Sequence, residues 1–126
     1  MSNRIRLSGT TVNAPDAIAL ARFYAEITGG VATGDERWAL VEGPDGDIGF
    51  QQVEEYRPPT WPGGQVRMQM HLEFFVDDLE ATGDRVLAAG ATRFEHQPNA
   101  DHSFVYADPA GHPFCLSTWG EPKVGD

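Results

Sequence analysis

The sequence predicts an α+β fold of two tandem βαβββ modules, because the same landmarks occur twice in the same order. In each copy an aspartate, Asp16 or Asp78, precedes a helix-like segment that ends at a glycine, and a Pro-x-Gly turn follows later. The aspartates are displaced by 62 residues, and the turn prolines, Pro44 and Pro109, by 65. Two helices are too few to cover both faces of a sheet. We therefore expect a curved mixed sheet around a cleft, with the helices on its outer face.

The length of 126 residues is that of one domain with a substantial core. We predict a single domain over 1–126, with module one at about 6–53 and module two at about 67–119. Three prolines and two glycines between residues 58 and 64 interrupt regular structure. Residues 54–66 are therefore predicted to be the linker between the modules.

The charge and composition exclude several classes of function. The formal net charge is −10, from 9 basic and 19 acidic residues, so a phosphate backbone would be repelled and nucleic acid is not an expected partner. No apolar run has the length of a membrane span, and the N-terminus shows no signal peptide. Cys115 is the only cysteine, which favours a reducing, cytoplasmic location.

In module one, apolar residues from Ile18 to Ile27 recur at helical spacing, and Gly29 and Gly30 end the pattern. Pro15 suits the first helical position, with Asp16 near the positive end of the helix dipole. The predicted helix covers about 15–28. The predicted strands are 7–14, 31–33, 38–42 and 48–53, with a turn at 43–47.

Module two repeats this order. Asp77 followed by Glu80 resembles a capping box, so a helix is predicted over about 78–89, and Gly90 ends it. The predicted strands are 71–76, 92–97, 104–107 and 113–118, and the residues at 108–111 form the hairpin turn before the last strand.

His71 and Glu73 are the candidate catalytic residues. Side chains two apart on a strand point to the same face, about 6–7 Å apart along the chain. This pair suits a metal ligand with a neighbour, or a base with a polarising acid. The alternative is a histidine that is satisfied by an ordinary polar partner. Phe75 shares this face, whereas Leu72 and Phe74 are expected to pack on a helix.

Several further residues are candidates for ligand contact. Trp61 lies between prolines in the linker, where it either packs to tie the linker down, which we favour, or covers a pocket. Cys115 is expected to face the cleft as a buried, inert thiol. His102 flanks a turn, where exposure to solvent is the default. The predicted ligand-binding set is Thr11, Gln51, Trp61, Phe75, His102 and Cys115.

Four motifs together resemble a known superfamily: APD at 14–16, PPTWP at 58–62, HLEFFVDDL at 71–79 and DPAGHPF at 108–114. They look like the vicinal oxygen chelate superfamily, which holds glyoxalases, bleomycin-resistance proteins and extradiol dioxygenases, and more narrowly like glyoxalase-like domain proteins. The resemblance covers about residues 6–119 and implies the two-module fold. It also implies that two identical chains pair as a homodimer.

The resemblance also implies a metal site with ligands on four cleft strands, commonly His or Gln, Glu, His and Glu. Carried over, the second-module histidine is His71 and the first-strand position is Gly9, which has no side chain. The last-strand position is Cys115 where Glu is usual. The fourth lies near Phe50 or Gln51, and we prefer Gln51 because Phe50 should face the helix. One firm ligand remains, so no metal cofactor is expected. A divalent metal that uses Glu73 is the alternative.

Three functions follow from these observations. The first is a metal-free protein that binds a small organic molecule in its cleft. The second is a metal-dependent lyase, isomerase or dioxygenase of the glyoxalase type. The third is a metal-independent enzyme that uses His71 and Glu73 as acid and base. The sequence favours the binding protein and leaves enzymatic activity open.

Overall fold

A computed structural model of the chain describes residues 3–119. Met1 and Ser2, which begin the terminus predicted to carry no signal peptide, and residues 120–126, which end the predicted domain, lie outside the described residues. The chain divides into two compact units, unit 1 (Met1–Tyr56) and unit 2 (Arg57–Asp126). The boundary falls inside the predicted linker, and each unit contains one helix and one four-stranded sheet.

Unit 1 contains, in chain order, β1 (Thr10–Ala14), α1 (Ala17–Thr28), β2 (Val31–Gly34), β3 (Trp38–Gly43) and β4 (Gly46–Gln52). The strand order is β1-β4-β3-β2, with β1 parallel to β4 and the other neighbours antiparallel. The ring of Tyr24 on α1 stacks on Phe50 of β4 at 5.7 Å, and both side chains are buried. Helix α1 therefore covers one face of this sheet.

Unit 2 repeats this topology with β5 (Leu72–Phe75), α2 (Leu79–Ala89), β6 (Thr92–Arg93), β7 (Ser103–Ala107) and β8 (Pro113–Ser117). The strand order is β5-β8-β7-β6, and β5 is parallel to β8. Buried Phe114 contacts the rings of Tyr106 at 5.7 Å and Phe74 at 6.1 Å. The two tandem modules and the α+β class are as predicted, with one open mixed sheet in each unit.

Helix α1 begins two residues later than predicted, and α2 begins one residue later. Asp16 and Asp78 are the N-caps, with extended φ,ψ of −142°, 107° and −138°, 109°, and each carboxylate accepts a hydrogen bond from the N–H three residues on. Pro15 is thus outside α1, and the predicted Asp77 cap of α2 is wrong. An N-cap must have non-helical dihedrals while its oxygen reaches the first turn, and Asp78 satisfies both conditions.

Strand β6 is the largest departure from the predicted secondary structure. The strand predicted over 92–97 contains only Thr92–Arg93, because the side chain of Gln97 occupies the place of a pairing strand beside β7. The Gln97 Nε2 donates to the carbonyls of Phe94 at 2.7 Å and Val105 at 2.9 Å, and its Oε1 accepts from the Val105 N–H at 2.8 Å. A side-chain amide carries the same donor and acceptor groups as a peptide. It therefore satisfies the backbone hydrogen-bonding groups of Val105 on β7 without adding a strand to the sheet.

The other strands begin and end within three residues of their predicted bounds. The predicted turn between β7 and β8 is also present. The Asp108 carboxylate accepts hydrogen bonds from the N–H groups of Ala110 at 2.9 Å and His112 at 3.0 Å, and Gly111 has a φ of +95°. Over residues 3–119, no helix is long and apolar enough to cross a bilayer.

Candidate functional site

Unit 2 brings His71, Glu73 and Cys115 together. His71 immediately precedes β5, Glu73 is on β5, and Cys115 on β8 is the registered partner of Glu73. One nitrogen, one carboxylate oxygen and the Sγ atom of these residues all lie within 4.8 Å of one another. The period-two alternation predicted that His71 and Glu73 share a face, and the pairing register adds Cys115 to that face.

The three groups differ in exposure. The Glu73 side chain is 64% exposed and that of His71 is 31% exposed, with His71 Nε2 4.0 Å from Glu73 Oε2. Cys115 is buried, as predicted. Burial raises the pKa of the Cys115 thiol, the negative charge of Glu73 raises it further, and a hydrogen bond with Ser103 acts in the opposite direction. The thiol is therefore protonated at neutral pH and is a poor nucleophile.

A cavity of about 310 Å³ lies over this cluster, within unit 2. Its polar floor comes from the antiparallel pair β7 and β8, where Ser103 is the registered partner of Ser117 and Val105 that of Cys115. Both serines are buried. Glu73 and His71 line one side of the cavity. The volume is at the lower end of the range of small-molecule sites, about 300–1,000 Å³.

Trp61 forms part of the cavity wall. Its ring packs edge-on against Phe94 at 5.0 Å and lies 5.3 Å from the ring of His96. Both roles considered for this residue are thus compatible with its position. The packing restrains the segment that carries Trp61, and the indole still borders the cavity.

Trp119 and His102 form a second aromatic element of the wall. Their rings are stacked at 3.7 Å with an interplanar angle of 1°, and His102 Nδ1 lies 2.9 Å from Asp101 Oδ1. The His102 side chain is only 17% exposed. The expectation that His102 is exposed to solvent is therefore wrong, because the Trp119 indole covers it.

Sequence reasoning missed much of the cavity lining, including the three polar and aromatic residues Ser103, Ser117 and Trp119. Alternation along β8 from Cys115 would have pointed to Ser117. Ser103 required the β7–β8 register. Trp119 follows the last strand and carried no local signal, because its role depends on the distant residue His102.

Three predicted ligand-binding residues are not in this cavity lining. Phe75 is 59% exposed on the same strand as Glu73. Thr11 and Gln51 belong to unit 1, where both are exposed and Gln51 Nε2 donates to Asn13 Oδ1 at 2.8 Å. The structure tests none of these three as ligand contacts, and they stay predictions.

Unit 1 has counterparts of the three clustered residues, identified by strand register. Thr11 pairs with Gly49 as Glu73 pairs with Cys115, and Gly9 stands two residues before Thr11 as His71 does before Glu73. A Cβ atom at Gly49 would lie 2.9 Å from the indole of Trp38. The counterpart positions therefore hold two glycines and a threonine, and an aromatic ring covers the space over one of them.

Comparison with known families decides to which family the chain belongs. The model of the glyoxalase-like domain matches residues 9–117, most of the chain. The chain belongs to the glyoxalase-like domain family. This is the family that the motifs at 14–16, 71–79 and 108–114 resemble. A search of curated proteins finds no match to this glyoxalase-like chain.

Solved structures share the fold at low sequence identity. The fosfomycin resistance protein FosX from Mesorhizobium loti is 17% identical with a TM-score of 0.67, and the alignment covers 95% of this chain and 94% of that one. A glyoxalase/bleomycin resistance protein/dioxygenase family enzyme from Burkholderia phytofirmans PsJN is 18% identical with a TM-score of 0.67, over 89% and 97%. A FosX variant from Listeria monocytogenes, 14% identical with a TM-score of 0.67 over 95% and 93%, was solved with Mn(II) and a dihydroxypropylphosphonic acid.

The residues of this glyoxalase-like protein do not fit a manganese centre of that kind. Mn(II) prefers carboxylate, carbonyl and water oxygens, whereas the cluster offers one imidazole, one carboxylate and one thiol. Burial keeps the pKa of the Cys115 thiol high, and only the thiolate is an effective ligand. A nitrogen, oxygen and sulfur set suits a softer ion such as Zn²⁺ better.

Proposed function

We propose that this glyoxalase-like protein binds a small organic molecule in the unit 2 cavity without the metal centre of its metal-dependent relatives. The observation that carries the proposal is a formed cavity of about 310 Å³ that contains the buried thiol of Cys115. The family resemblance implies a metal-binding carboxylate at that position. Two indoles, from Trp61 and Trp119, supply apolar contact area, and Ser103 and Ser117 supply hydroxyl groups. This combination is typical of ligand pockets.

The candidate catalytic residues have a simpler role in this proposal. His71 and Glu73 are 4.0 Å apart, which is longer than a hydrogen bond. They act as polar contacts for the ligand rather than as a coupled acid and base. An enzyme that uses them as such would show a bell-shaped pH–rate profile, which a binding protein has no reason to show.

Metal analysis together with binding tests the proposal. We expect purified protein to contain far less than one metal ion per chain, and its affinity for the neutral probe naphthylmethanol, followed by tryptophan fluorescence, to be unchanged by EDTA. Replacement of Trp119 by Ala should weaken binding about tenfold, since a stacked aromatic contact is lost. Leu87→Ala, at an exposed apolar site on α2 outside the cavity lining, is the matched control. One metal per chain, or binding that EDTA abolishes, contradicts the proposal.

The second candidate is a metal-dependent lyase, isomerase or dioxygenase, favoured by the three donor atoms within 4.8 Å. In that case Zn²⁺ would bind at one per chain, and His71→Ala and Cys115→Ser would each reduce its affinity. Glu80→Ala, on the exposed face of α2, would leave it unchanged. Calorimetric titration with Zn²⁺ and Mn²⁺ separates the two candidates.

We further propose that the protein is cytoplasmic and forms a homodimer. The single cysteine supports a reducing compartment, and the family resemblance supports pairing of two chains. Sedimentation equilibrium would give a mass near twice the 13.8 kDa of one chain.

A further inference from the structure

The formal charge in the lining of the unit 2 cavity is negative only. Among the described residues that line it, Glu73 is the only one with a formal charge at neutral pH when histidine is counted neutral, and none is a lysine or arginine. The remaining polar groups there are neutral, such as the serine hydroxyls and the side-chain amide of Asn99. A cavity with this lining offers a counter-ion for a cation and none for an anion.

The Glu73 carboxylate is free to receive a ligand. Its side chain is 64% exposed, and within residues 3–119 its one ion-pair neighbour is His71, at 4.0 Å. That separation exceeds the length of a charge-assisted hydrogen bond, about 2.7–2.9 Å. The carboxylate therefore keeps acceptor sites for N–H groups of an incoming molecule.

The aromatic side chains of the cavity wall also favour a cation. One face of the Trp119 indole is stacked on His102, and the residue remains 65% exposed, so its other surface is available. Trp61, which is held by Phe94 and His96, supplies a second indole to the cavity lining. Tryptophan is the best partner for a cation over an aromatic face, and it also stacks on planar rings.

The net charge of the whole chain adds a long-range electrostatic preference for cations. With a net charge of −10, its field attracts cations and repels anions on approach. A phosphonate or carboxylate ligand would meet the Glu73 charge in the cavity with no basic side chain in the described lining to offset it. The resistance proteins with the same fold therefore do not indicate the ligand of this cavity.

We propose that the ligand is an organic cation, an ammonium or amidinium group attached to a flat apolar body, with Glu73 as its counter-ion and Trp61 and Trp119 as its walls. This inference rests on the proposed function, because it names the class of molecule that the same cavity binds. The cationic group lies at the Glu73 carboxylate, and the apolar body lies between the indoles over the floor of Ser103 and Cys115.

Three probes with the same ring test the charge preference: naphthylmethylamine, which is protonated at pH 7, neutral naphthylmethanol, and anionic naphthoate. Their dissociation constants for the full chain are measured by calorimetry at one ionic strength. We expect the cation to bind about tenfold or more tightly than the alcohol, since a charge-assisted hydrogen bond is added. Naphthoate should bind most weakly.

Replacement of Glu73 by Gln removes the charge and keeps the shape. The cation-over-alcohol ratio should then fall to about one, while the affinity for naphthylmethanol changes by less than about threefold. Glu80→Gln makes the same change of charge on the exposed face of α2, outside the cavity lining, and should keep the full ratio. Circular dichroism melts confirm that both variants are folded, as the exposure of both residues predicts.

The outcomes separate this inference from the proposed function. Equal binding of cation and alcohol, both weakened by Trp119→Ala, overturns the cation inference and leaves a binding protein. A charge preference that survives in Glu73→Gln also overturns it. If none of the three probes binds saturably, both the cation inference and the metal-free binding role are rejected for this cavity.

Discussion

Cys115 shows how the fold sets the chemistry of a single side chain. It stands at the position where the family resemblance implies a metal-binding carboxylate, and it is buried on β8 between β5 and β7. Burial and the nearby Glu73 charge both disfavour the thiolate, so the pKa of Cys115 is raised. The residue is therefore a poor nucleophile, and its contact with a ligand stays a prediction.

We predict that Cys115 reacts slowly with iodoacetamide at pH 7, at least about tenfold more slowly than in the same protein unfolded in urea, because the thiolate is the reactive form. The rate should rise only above the ordinary thiol range of about 8.5. Because the folded pKa exceeds the unfolded one, this shift also contributes stability at lower pH that is lost as pH rises through the folded pKa. Mass spectrometry of quenched samples gives the rates. Equal rates in the folded and unfolded protein would contradict the account.

Among the secondary-structure elements, β7 is paired with the short strand β6 and, beyond it, with one side chain. Gln97 makes three hydrogen bonds to backbone groups of Phe94 and Val105, and so completes the edge of β7. Val105 lines the cavity, which links this edge to the candidate site. A regular strand could have made the same bonds, but it would also have extended an exposed sheet edge.

Replacement of Gln97 by Met keeps the length of the side chain and leaves the N–H and C=O of Val105 without this partner. We expect a loss of about 2 kcal/mol in the free energy of unfolding, because part-buried backbone groups lose their hydrogen bonds. Urea titration measures it. Gln65→Met, at an exposed position, is the control and should change stability by less than about 0.5 kcal/mol. Similar losses for both variants would show that Gln97 has no special role.

At the level of the whole molecule, the high net negative charge acts on stability as well as on ligands. A charge of −10 on 126 residues repels itself, and the repulsion is greater in the folded than in the unfolded chain. Salt shortens the Debye length from about 30 Å at 0.01 M to about 8 Å at 0.15 M. Added salt should therefore increase the free energy of unfolding.

We predict that raising NaCl from about 10 to about 150 mM increases Tm by roughly 4 °C, equivalent to about 1 kcal/mol for a domain of this size. Differential scanning calorimetry in the presence of EDTA measures the change and removes any contribution from metal. KCl should give the same increase, because screening does not depend on the cation. A Tm that falls with salt would indicate that attractive ion pairs outweigh the repulsion.

Local sequence signals predicted the elements and the repeated topology. These signals depend on neighbours within a few residues, which the sequence displays directly. They include the helix ends at Gly29 and Gly90, the turn at Asp108, and the alternation of Glu73 with Phe74. The error at the start of α2 was a local choice between similar groups. Asp77 and Asp78 carry the same carboxylate, and only the dihedrals of Asp78 place it at the cap.

The sequence alone predicted a duplicated α+β chain, because the same landmarks recur in order at nearly one spacing. The resemblance of its motifs implied the glyoxalase type, with His71 as the one firm ligand among the usual positions. Tertiary structure decided which distant residues meet. The strand register placed Cys115 beside Glu73, and the backbone after β8 placed Trp119 over His102. Such contacts join positions far apart along the chain, and no local propensity encodes them, so the composition of the cavity became clear only from the folded chain.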